Sequence, residues 1–501
     1  MTHPVTLILI ATALCLLGTP SLGALAVAML LLAPTALLKK RLGAPLGVVL
    51  TFVMGLACLA DVFCQEFFLS PLNTGTVRLL FATHPAEVWS FCKTFVSPAI
   101  LGRWRLSVCL VLLLATPFAV KWSLPNGLLA VLAVPAAIGL LHLDKTPPGR
   151  LVSAGAEAFR QDREAEIRHK VYLTETADTC TFRSARIVLV LGESFNKHHA
   201  SAYGYRLPTT PFQDARGAGR SLFFFADAVS PCNMTADVFE RMFSVPFPAI
   251  LKRAGYTVNF YSNQFPGGNG FMAIRGGKNM FSDKTISEAA FSYRNTHTKQ
   301  FDADFLADNL PPANALAQEP VMDIIHLRGQ HFEYEEHYPP DFAFFSMDDY
   351  PEGTPEAVMH YDNATRYNDF VLESILQYYA ATDAIVIFLS DHGEEVYDEL
   401  PISGRSHGRP GLAAARAEYE VPMWVWCSPA YAAAHPDVLE ALPQAAARPF
   451  YTSDLSHLLL DLAGVSGPFT SKERSVLSPS YHCPARIIAG KVDYDKLRAG
   501  E

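Results

Sequence analysis

The sequence predicts an N-terminal α-helical transmembrane bundle followed by an α/β extracytoplasmic domain, a mostly parallel sheet with helices on both faces. Two apolar runs carry the α/β half of that reading. Ile187 to Leu191 is closed by Gly192 and Glu193, and Ala384 to Ser390 is closed by Asp391-His392-Gly393-Glu394. An unbroken apolar run of this length, ended by a glycine or a carboxylate, reads as a strand buried on both faces. From Ile187 onward such runs alternate with helical stretches, the pattern of a parallel sheet with covering helices. The membrane half rests on a composition shift. Hydrophobic residues make up 50% of the 501-residue chain, and the mean hydropathy is +0.16. Nearly all of the excess precedes Asp144.

Taken in order, Val5 to Leu38 is too long for one span and is broken at Gly18-Thr19-Pro20-Ser21, so two segments joined by a tight turn are expected. Leu46 to Leu69, Leu106 to Val120 and Gly127 to Leu143 follow, giving about five spans on the usual ~20-residue criterion. Lys39, Lys40 and Arg41 place the loop before the third span in the cytoplasm, and five spans then put everything after Asp144 outside. Lys121 agrees with this orientation, whereas Arg103 and Arg105 oppose it. Leu22-Gly23-Ala24 offers a signal-peptide cleavage site instead, without a positive n-region before it, and cleavage there leaves the orientation unchanged. Ser70 to Arg105 is then an outward loop whose apolar residues, among them Val77, Leu80 and Trp89, suit the bilayer surface. A partly buried interfacial helix without a ligand fits the same residues.

Lys145-Thr146-Pro147-Pro148-Gly149 is a breaker cluster, and Arg150 to Lys170 reads as a charged helix after it. The expected domains are residues 1–144 in the membrane with the loop 70–105, 145–180 as linker and bridging helix, and 181–501 as the catalytic domain. Tyr256 to Tyr261, Met322 to His326, Ala384 to Ser390 and Val421 to Cys427 are expected as strands. Asp362 to Tyr379 and Ser453 to Ala463 are expected as helices. A net charge of −9, a pI near 6.0 and the lack of a Lys/Arg cluster argue against nucleic-acid binding. Cys180, Cys232, Cys427 and Cys483 show no CxxC spacing and leave disulfides open.

Glu193 sits where a strand leaves the sheet, the edge at which open α/β sheets bind ligands. Alone, such a carboxylate is most often a loop or capping residue. Asp391-His392 strengthens the reading, because an adjacent acid and imidazole offer two metal ligands at one turn. Oxygen and nitrogen ligands suit Zn²⁺ or Mn²⁺, and the absence of convergent cysteines argues against a structural zinc site. His326 and His331 bracket Leu327-Arg328-Gly329-Gln330 after a strand, and His407 lies in a Gly/Ser/Arg loop. Singly these read as surface or hydrogen-bonding residues; three in loops after strands suit a second metal or a phosphate. Thr235, in Cys232-Asn233-Met234-Thr235-Ala236, precedes an expected helix from Ala236 to Phe243. Its hydroxyl reads first as an N-cap. The same position also presents a helix amino end to a phosphate, and a neighbouring metal would turn the hydroxyl into a nucleophile.

Several motifs in this order resemble the membrane-anchored phosphoethanolamine transferases of Gram-negative bacteria, in the alkaline phosphatase/sulfatase superfamily. They are GESFNKHHASAYGYRLPTTP (Gly192 to Pro211), Thr235-Ala236 with Met242-Phe243-Ser244, HLRGQH (His326 to His331) with Tyr338-Pro339, SDHGEE (Ser390 to Glu395), His407, and DLSHLLLDLAGV with RSVLSPSY. The likeness covers nearly the whole chain. It implies an alkaline-phosphatase/sulfatase-like fold and a catalytic zinc on Glu193, Thr235, Asp391 and His392, with Thr235 the nucleophile. One or two Zn²⁺ ions are implied ahead of Mn²⁺. His331 and His407, with His326 nearby, would meet the phosphate or a second zinc. Asn233 and Lys197 would meet substrate, Lys197 standing where the family usually has an arginine and so keeping charge without the bidentate fork. Glu87, in Ala82-Thr83-His84-Pro85-Ala86-Glu87, would face the ammonium group of the lipid donor. Lipid A-modifying relatives carry several cysteines around the threonine; Cys232 alone leans toward the core- or glycan-modifying branch.

The reaction implied is transfer of phosphoethanolamine from phosphatidylethanolamine, through a phosphoethanolamine-threonine intermediate, to lipopolysaccharide core, lipid A or another glycan. Its place is the bacterial inner membrane, multi-pass, with the catalytic domain in the periplasm. A glycerophosphate transferase using phosphatidylglycerol shares the Glu/Thr/Asp/His set, although HLRGQH and GYRLPTTP argue against it. A sulfatase needs a Cys/Ser-x-Pro/Ala-x-Arg motif that Cys232-Asn233-Met234-Thr235 does not give. The alternative outside catalysis is an inactive membrane relative, which the intact ligand positions oppose.

Overall fold

The computed structural model describes residues 4–38, 40–82, 102–121, 127–176, 178–219, 221–266, 279–281, 283–312, 320–406 and 410–500. Glu87 and His407 lie outside the described residues. Two compact units divide between Arg163 and Glu164.

The first unit is helical. The break at Gly18 separates α1 (Pro4–Gly18) from α2 (Gly23–Leu32). There follow α3 (Lys40–Phe67), α4 (Thr74–Ala82), α5 (Trp104–Ala115), α6 (Gly127–Gly139) and α7 (Pro147–His169). The third helix starts at Lys40 rather than Leu46 and carries Pro45 inside it, where the missing N–H removes one bond of the ladder. Likewise α7 starts at Pro147, not Arg150. Leu42–Phe67 and Leu128–Lys145 are long and apolar enough to cross a membrane, and Val5–Gly18, Gly23–Thr35 and Trp104–Phe118 are shorter apolar helices.

The buried carboxylate Asp61 and the half-buried Glu66 of this apolar unit are paired, as burial demands. The buried Asp61 of α3 accepts from Arg150 Nε at 2.9 Å, Gln65 Nε2 at 2.7 Å and the Leu72 N–H at 3.0 Å. Arg105 donates to Glu66 at 3.2 Å, Gln65 at 2.7 Å and the Leu17 carbonyl at 2.6 Å, and Arg103 lies 3.5 Å from Glu66. The two arginines that oppose the expected orientation are thus paired with a carboxylate.

The second unit is an α/β/α sandwich. Its central sheet has β1 (Arg186–Gly192), β2 (Leu222–Phe224), β3 (Thr257–Ser262), β4 (Tyr293–Arg294), β5 (Val321–His326), β6 (Ala384–Ser390) and β7 (Met423–Cys427) in the order β2-β7-β6-β1-β5-β3-β4. All neighbours run parallel except β7, which is antiparallel to both β2 and β6. The expected strand from Val421 is therefore the reversed one, and it begins after Pro422, whose nitrogen has no hydrogen for a ladder.

Alternation along β1 assigns its faces. Ile187, Leu189 and Leu191 pack with Val238, Phe239 and Met242 of α8 (Thr235–Met242) and with Leu458 and Leu459 of α11 (Leu455–Ala463). Val188 and Val190 pack with Ala364, Tyr367 and Val371 of α9 (Glu356–Tyr379) on the other side. With helices on both sides, every residue of β1 and β6 is buried, which is why both read as continuous apolar runs. Another short helix, α10 (Leu412–Tyr419), precedes β7. The register sets Gly192 opposite Ser390, Leu191 opposite His326 and His326 opposite Ser262. Four strands therefore end at one level, and the residues after them emerge along one edge. No disulfide joins Cys180, Cys232, Cys427 and Cys483.

Candidate active site

The register delivers Glu193 and Asp391 side by side, and the Asp391 N–H donates to the Gly192 carbonyl at 3.1 Å. Ser194 then turns in the left-handed region at φ +55°, a conformation that costs a non-glycine residue energy and marks a held turn. Asp391 Oδ1 repays that turn by accepting from the Ser194 N–H at 3.2 Å and the His392 N–H at 2.7 Å. His392 Nδ1 lies 2.7 Å from the Gly393 carbonyl, which only accepts, so Nδ1 carries the proton and Nε2 presents a lone pair. That Nε2 is 3.4 Å from Glu193 Oε1 and 3.3 Å from Asp391 Oδ2. The ligand atoms of Glu193, Asp391 and His392 all lie within 4.8 Å of one another, and the three residues are fully buried.

Thr235 is the first residue of α8 rather than the residue before it. Met234 holds the N-cap position without a side-chain cap. The Thr235 hydroxyl is turned to the cluster instead, donating to Glu193 Oε2 at 2.9 Å and lying 3.3 Å from His392 Nε2. The capping reading therefore fails at this residue, whose hydroxyl faces Glu193 from the first turn of the helix.

Burial and the Glu193 charge push the Asp391 carboxyl well above the usual carboxylate range. Burial opposes ionisation of Glu193 too, but His392, His331 and Arg405 hold it below that range. His392 is pushed down to about 3 by burial and by Arg405 beside it. Asp391 Oδ2 makes no hydrogen bond among the described residues. A buried carboxylate oxygen without a donor, set beside a second carboxylate and an imidazole lone pair, is costly. A divalent cation satisfies that oxygen, and two carboxylates, a neutral imidazole and a hydroxyl form a donor set that suits zinc. The residues present fit that ion.

The other expected residues fall in different places. His326, the last residue of β5, has Nδ1 2.9 Å from Ser262 Oγ and Nε2 3.0 Å from Gln264 Nε2, with the rings of Phe239 and Phe265 around it. Its Nδ1 is engaged by Ser262 and its Nε2 faces the Gln264 amide, so it stands behind the cluster instead of facing a phosphate. His331 lies beside the cluster, pushed down to about 4 by burial against the pull of Glu193, and makes no hydrogen bond to it among the described residues. Lys197 does not replace a site arginine: it pairs with Glu420 at 2.9 Å and donates to the Ala226 carbonyl at 3.2 Å. Asn233 donates to Glu418 of α10 at 2.5 Å, which corrects its expected contact with substrate.

Sequence reasoning passed over Arg405 and Gln264. The Arg405 Nη1 lies 2.9 Å from His392 Nε2, and Nε lies 3.3 Å from Glu394. Gln264 Nε2 donates to Glu193 Oε2 at 3.0 Å and to the Leu327 carbonyl at 2.8 Å. A signal for Gln264 existed: it follows the buried run ending at Ser262, at the same edge. Arg405 lies in an aperiodic loop that carries none. Two glycines complete the frame. A Cβ on Gly329 (φ +51°) would meet the Glu193 carbonyl at 2.8 Å, and one on Gly393 would meet the Ala417 carbonyl at 2.1 Å.

An α/β/α sheet with an acid–imidazole–hydroxyl cluster at its carboxyl edge defines the class, and the sulfatase family profile matches residues 185–465. The chain belongs to the sulfatase family. Within it, the chain is 29% identical over 350 residues to the protein named phosphoethanolamine transferase EptC of Escherichia coli. That match covers 63% of this chain and 58% of the relative, so the chain spans little more than half of the relative's length. The structure of the C-terminal periplasmic domain of EcEptC from Escherichia coli in complex with Zn is 25% identical, with a TM-score of 0.54, covering 65% of this chain and 97% of that one. A full-length fold likeness is given by the integral membrane lipooligosaccharide phosphoethanolamine transferase A from Neisseria meningitidis. It is 18% identical with a TM-score of 0.66, over 92% of this chain and 91% of that one.

Proposed function

We propose that the protein transfers phosphoethanolamine from phosphatidylethanolamine to a cell-envelope acceptor, through an ester on Thr235. The acceptor is lipopolysaccharide core in the first instance, with lipid A or another glycan as the alternatives. The observation that carries this reading is the Thr235 hydroxyl, turned away from its helix and 2.9 Å from Glu193 inside the buried cluster. The names of the relatives supply the transferred group.

Glu193, Asp391, His392 and Thr235 are the residues that would hold zinc, which when bound lowers the pKa of the threonine hydroxyl and polarises a phosphoryl oxygen. The protein's own groups do the rest. Glu193 Oε2 takes the hydroxyl hydrogen bond, so the oxygen's lone pairs are free to meet phosphorus. In the first step a Thr235 O–P bond forms and the P–O bond to diacylglycerol breaks, with a proton going to the departing glycerol oxygen. In the second, an acceptor oxygen forms the new P–O bond and Thr235 leaves with a proton. The amino end of α8 favours the phosphate charge, and burial of the cluster keeps competing water out.

The membrane arrangement follows from the donor, which resides in a bilayer. The five apolar helices are read as five spans, residues 145–180 as the connection and 181–501 as the periplasmic domain of an inner-membrane protein.

The test is intact mass spectrometry of the purified chain after incubation with phosphatidylethanolamine, beside Thr235→Ala. A phosphoethanolamine adduct on the wild type alone is expected. An adduct on Thr235→Ala would sink the assignment of the nucleophile, and an adduct formed only with phosphatidylglycerol would move the donor to the glycerophosphate class.

A further inference from the structure

We propose that Arg405 is a catalytic residue that grips the phosphoryl oxygens of the group carried on Thr235, supplying there the positive charge that a second cation would otherwise bring. The proposal rests on the transfer reading above and goes beyond it to the residue that binds the moving group.

The guanidinium reaches the cluster from the loop after Gly404, with its side chain only 13% exposed. Its Nε faces Glu394 Oε2 at 3.3 Å, which fixes the plane of the fork. Its Nη1 points at His392 Nε2, 2.9 Å away, and lies 3.5 Å from the Asn233 carbonyl. The same His392 Nε2 stands 3.3 Å from the Thr235 oxygen. Arg405 therefore holds an N–H donor one atom away from the nucleophile.

The His392 lone pair takes one partner at a time. A ligated Nε2 no longer accepts from Nη1, and the released N–H needs another acceptor in the same spot. Glu394 already faces Nε, and the acceptor that arrives with substrate is a phosphoryl oxygen. A guanidinium fork matches phosphate geometry in a way that an ammonium does not. A phosphoryl group gathers negative charge on its equatorial oxygens during transfer, and a fixed cation beside it stabilises that charge most where water is excluded. The cation that the sequence pointed to is spent elsewhere: Lys197 lies against Glu420. Arginine, unlike the histidines nearby, is charged at every working pH.

The zinc-loaded full chain is titrated with orthovanadate, a phosphoryl mimic, as wild type, Arg405→Ala and Arg405→Lys, and zinc content is measured on each sample. Arg405→Ala is expected to keep the wild-type zinc content and to bind vanadate about 10- to 100-fold more weakly. Arg405→Lys should fall between the two, since it keeps charge without the fork. Chelator competition should find zinc held by Arg405→Ala at least as tightly as by the wild type, because a competing donor to His392 is gone. Vanadate affinity within about twofold of wild type would overturn the proposal. So would loss of zinc together with vanadate, which would make Arg405 a support for the ligands. The mass-spectrometric adduct separates the two readings. A wild type without adduct but with Arg405-dependent vanadate binding would refute the transfer and leave Arg405 a phosphoryl-binding residue.

Discussion

Replacing His199 by glutamine removes a buried imidazolium that ties together three segments around the active site. His199 Nδ1 lies 2.6 Å from Asp362 on α9, and Nε2 lies 3.1 Å from Asp398 on the loop after His392. Asn196 joins the same knot, donating to Asp398 at 3.0 Å and to the Glu394 carbonyl at 2.9 Å. Burial works against the charge, but Asp362 and Asp398 outweigh it and raise the His199 pKa from 6.5 to about 10. That rise corresponds to about 5 kcal/mol at ~1.36 kcal/mol per pH unit. Glutamine retains part of the hydrogen bonding while leaving two carboxylates without their cation, so a loss of about 3–5 kcal/mol is expected. The sign with pH follows from the folded state binding the extra proton. The stabilisation is present in full below 6.5 and decays as pH rises toward 10, by at most ~1.4 kcal/mol per pH unit. Urea unfolding of the detergent-solubilised chain, followed by the fluorescence of Trp424 and Trp426 in β7 from about pH 6 to about pH 10, measures both quantities. A His199→Gln loss below about 1 kcal/mol, or the same pH slope in variant and wild type, would refute the reasoning.

Other substitutions test the frame of the site. Gln264→Ala removes a donor from Glu193 and should weaken zinc binding by about 10- to 100-fold in chelator competition, with little change in folding. Gly393→Ala places a methyl group 2.1 Å from the Ala417 carbonyl; His392 must shift, and zinc content of the purified protein should fall even if the chain folds. Phe388→Ala opens the core between Trp424, stacked at 5.1 Å, and Phe195 at 6.2 Å, and urea unfolding should show a loss of about 3–5 kcal/mol.

The strands were legible where burial on both faces writes itself as an unbroken apolar run. Ala384 to Ser390 was readable to the residue for that reason, and Ile187 to Leu191 falls one residue short of the strand at each end. Helix starts were less legible: α9 begins at Glu356 instead of Asp362, and its first two turns already bury Val358 and Tyr361. The disulfide question could not be answered from spacing, since pairing depends on where distant sulfurs meet.

Local chemistry by itself placed Glu193, Asp391 and His392 at strand ends and Thr235 at a helix start, because each follows or opens an element with its own pattern. Tertiary structure decided what those positions mean. The register of Gly192 with Ser390 brings the two carboxylates together, and only then does the Thr235 hydroxyl have something to face. It also decided among the basic residues. Lys197 is drawn to Glu420, His326 to Ser262 and Gln264, and Arg405, which no pattern singled out, reaches the cluster. Long charged side chains find partners by distance and burial, and neither is written in the order of the residues.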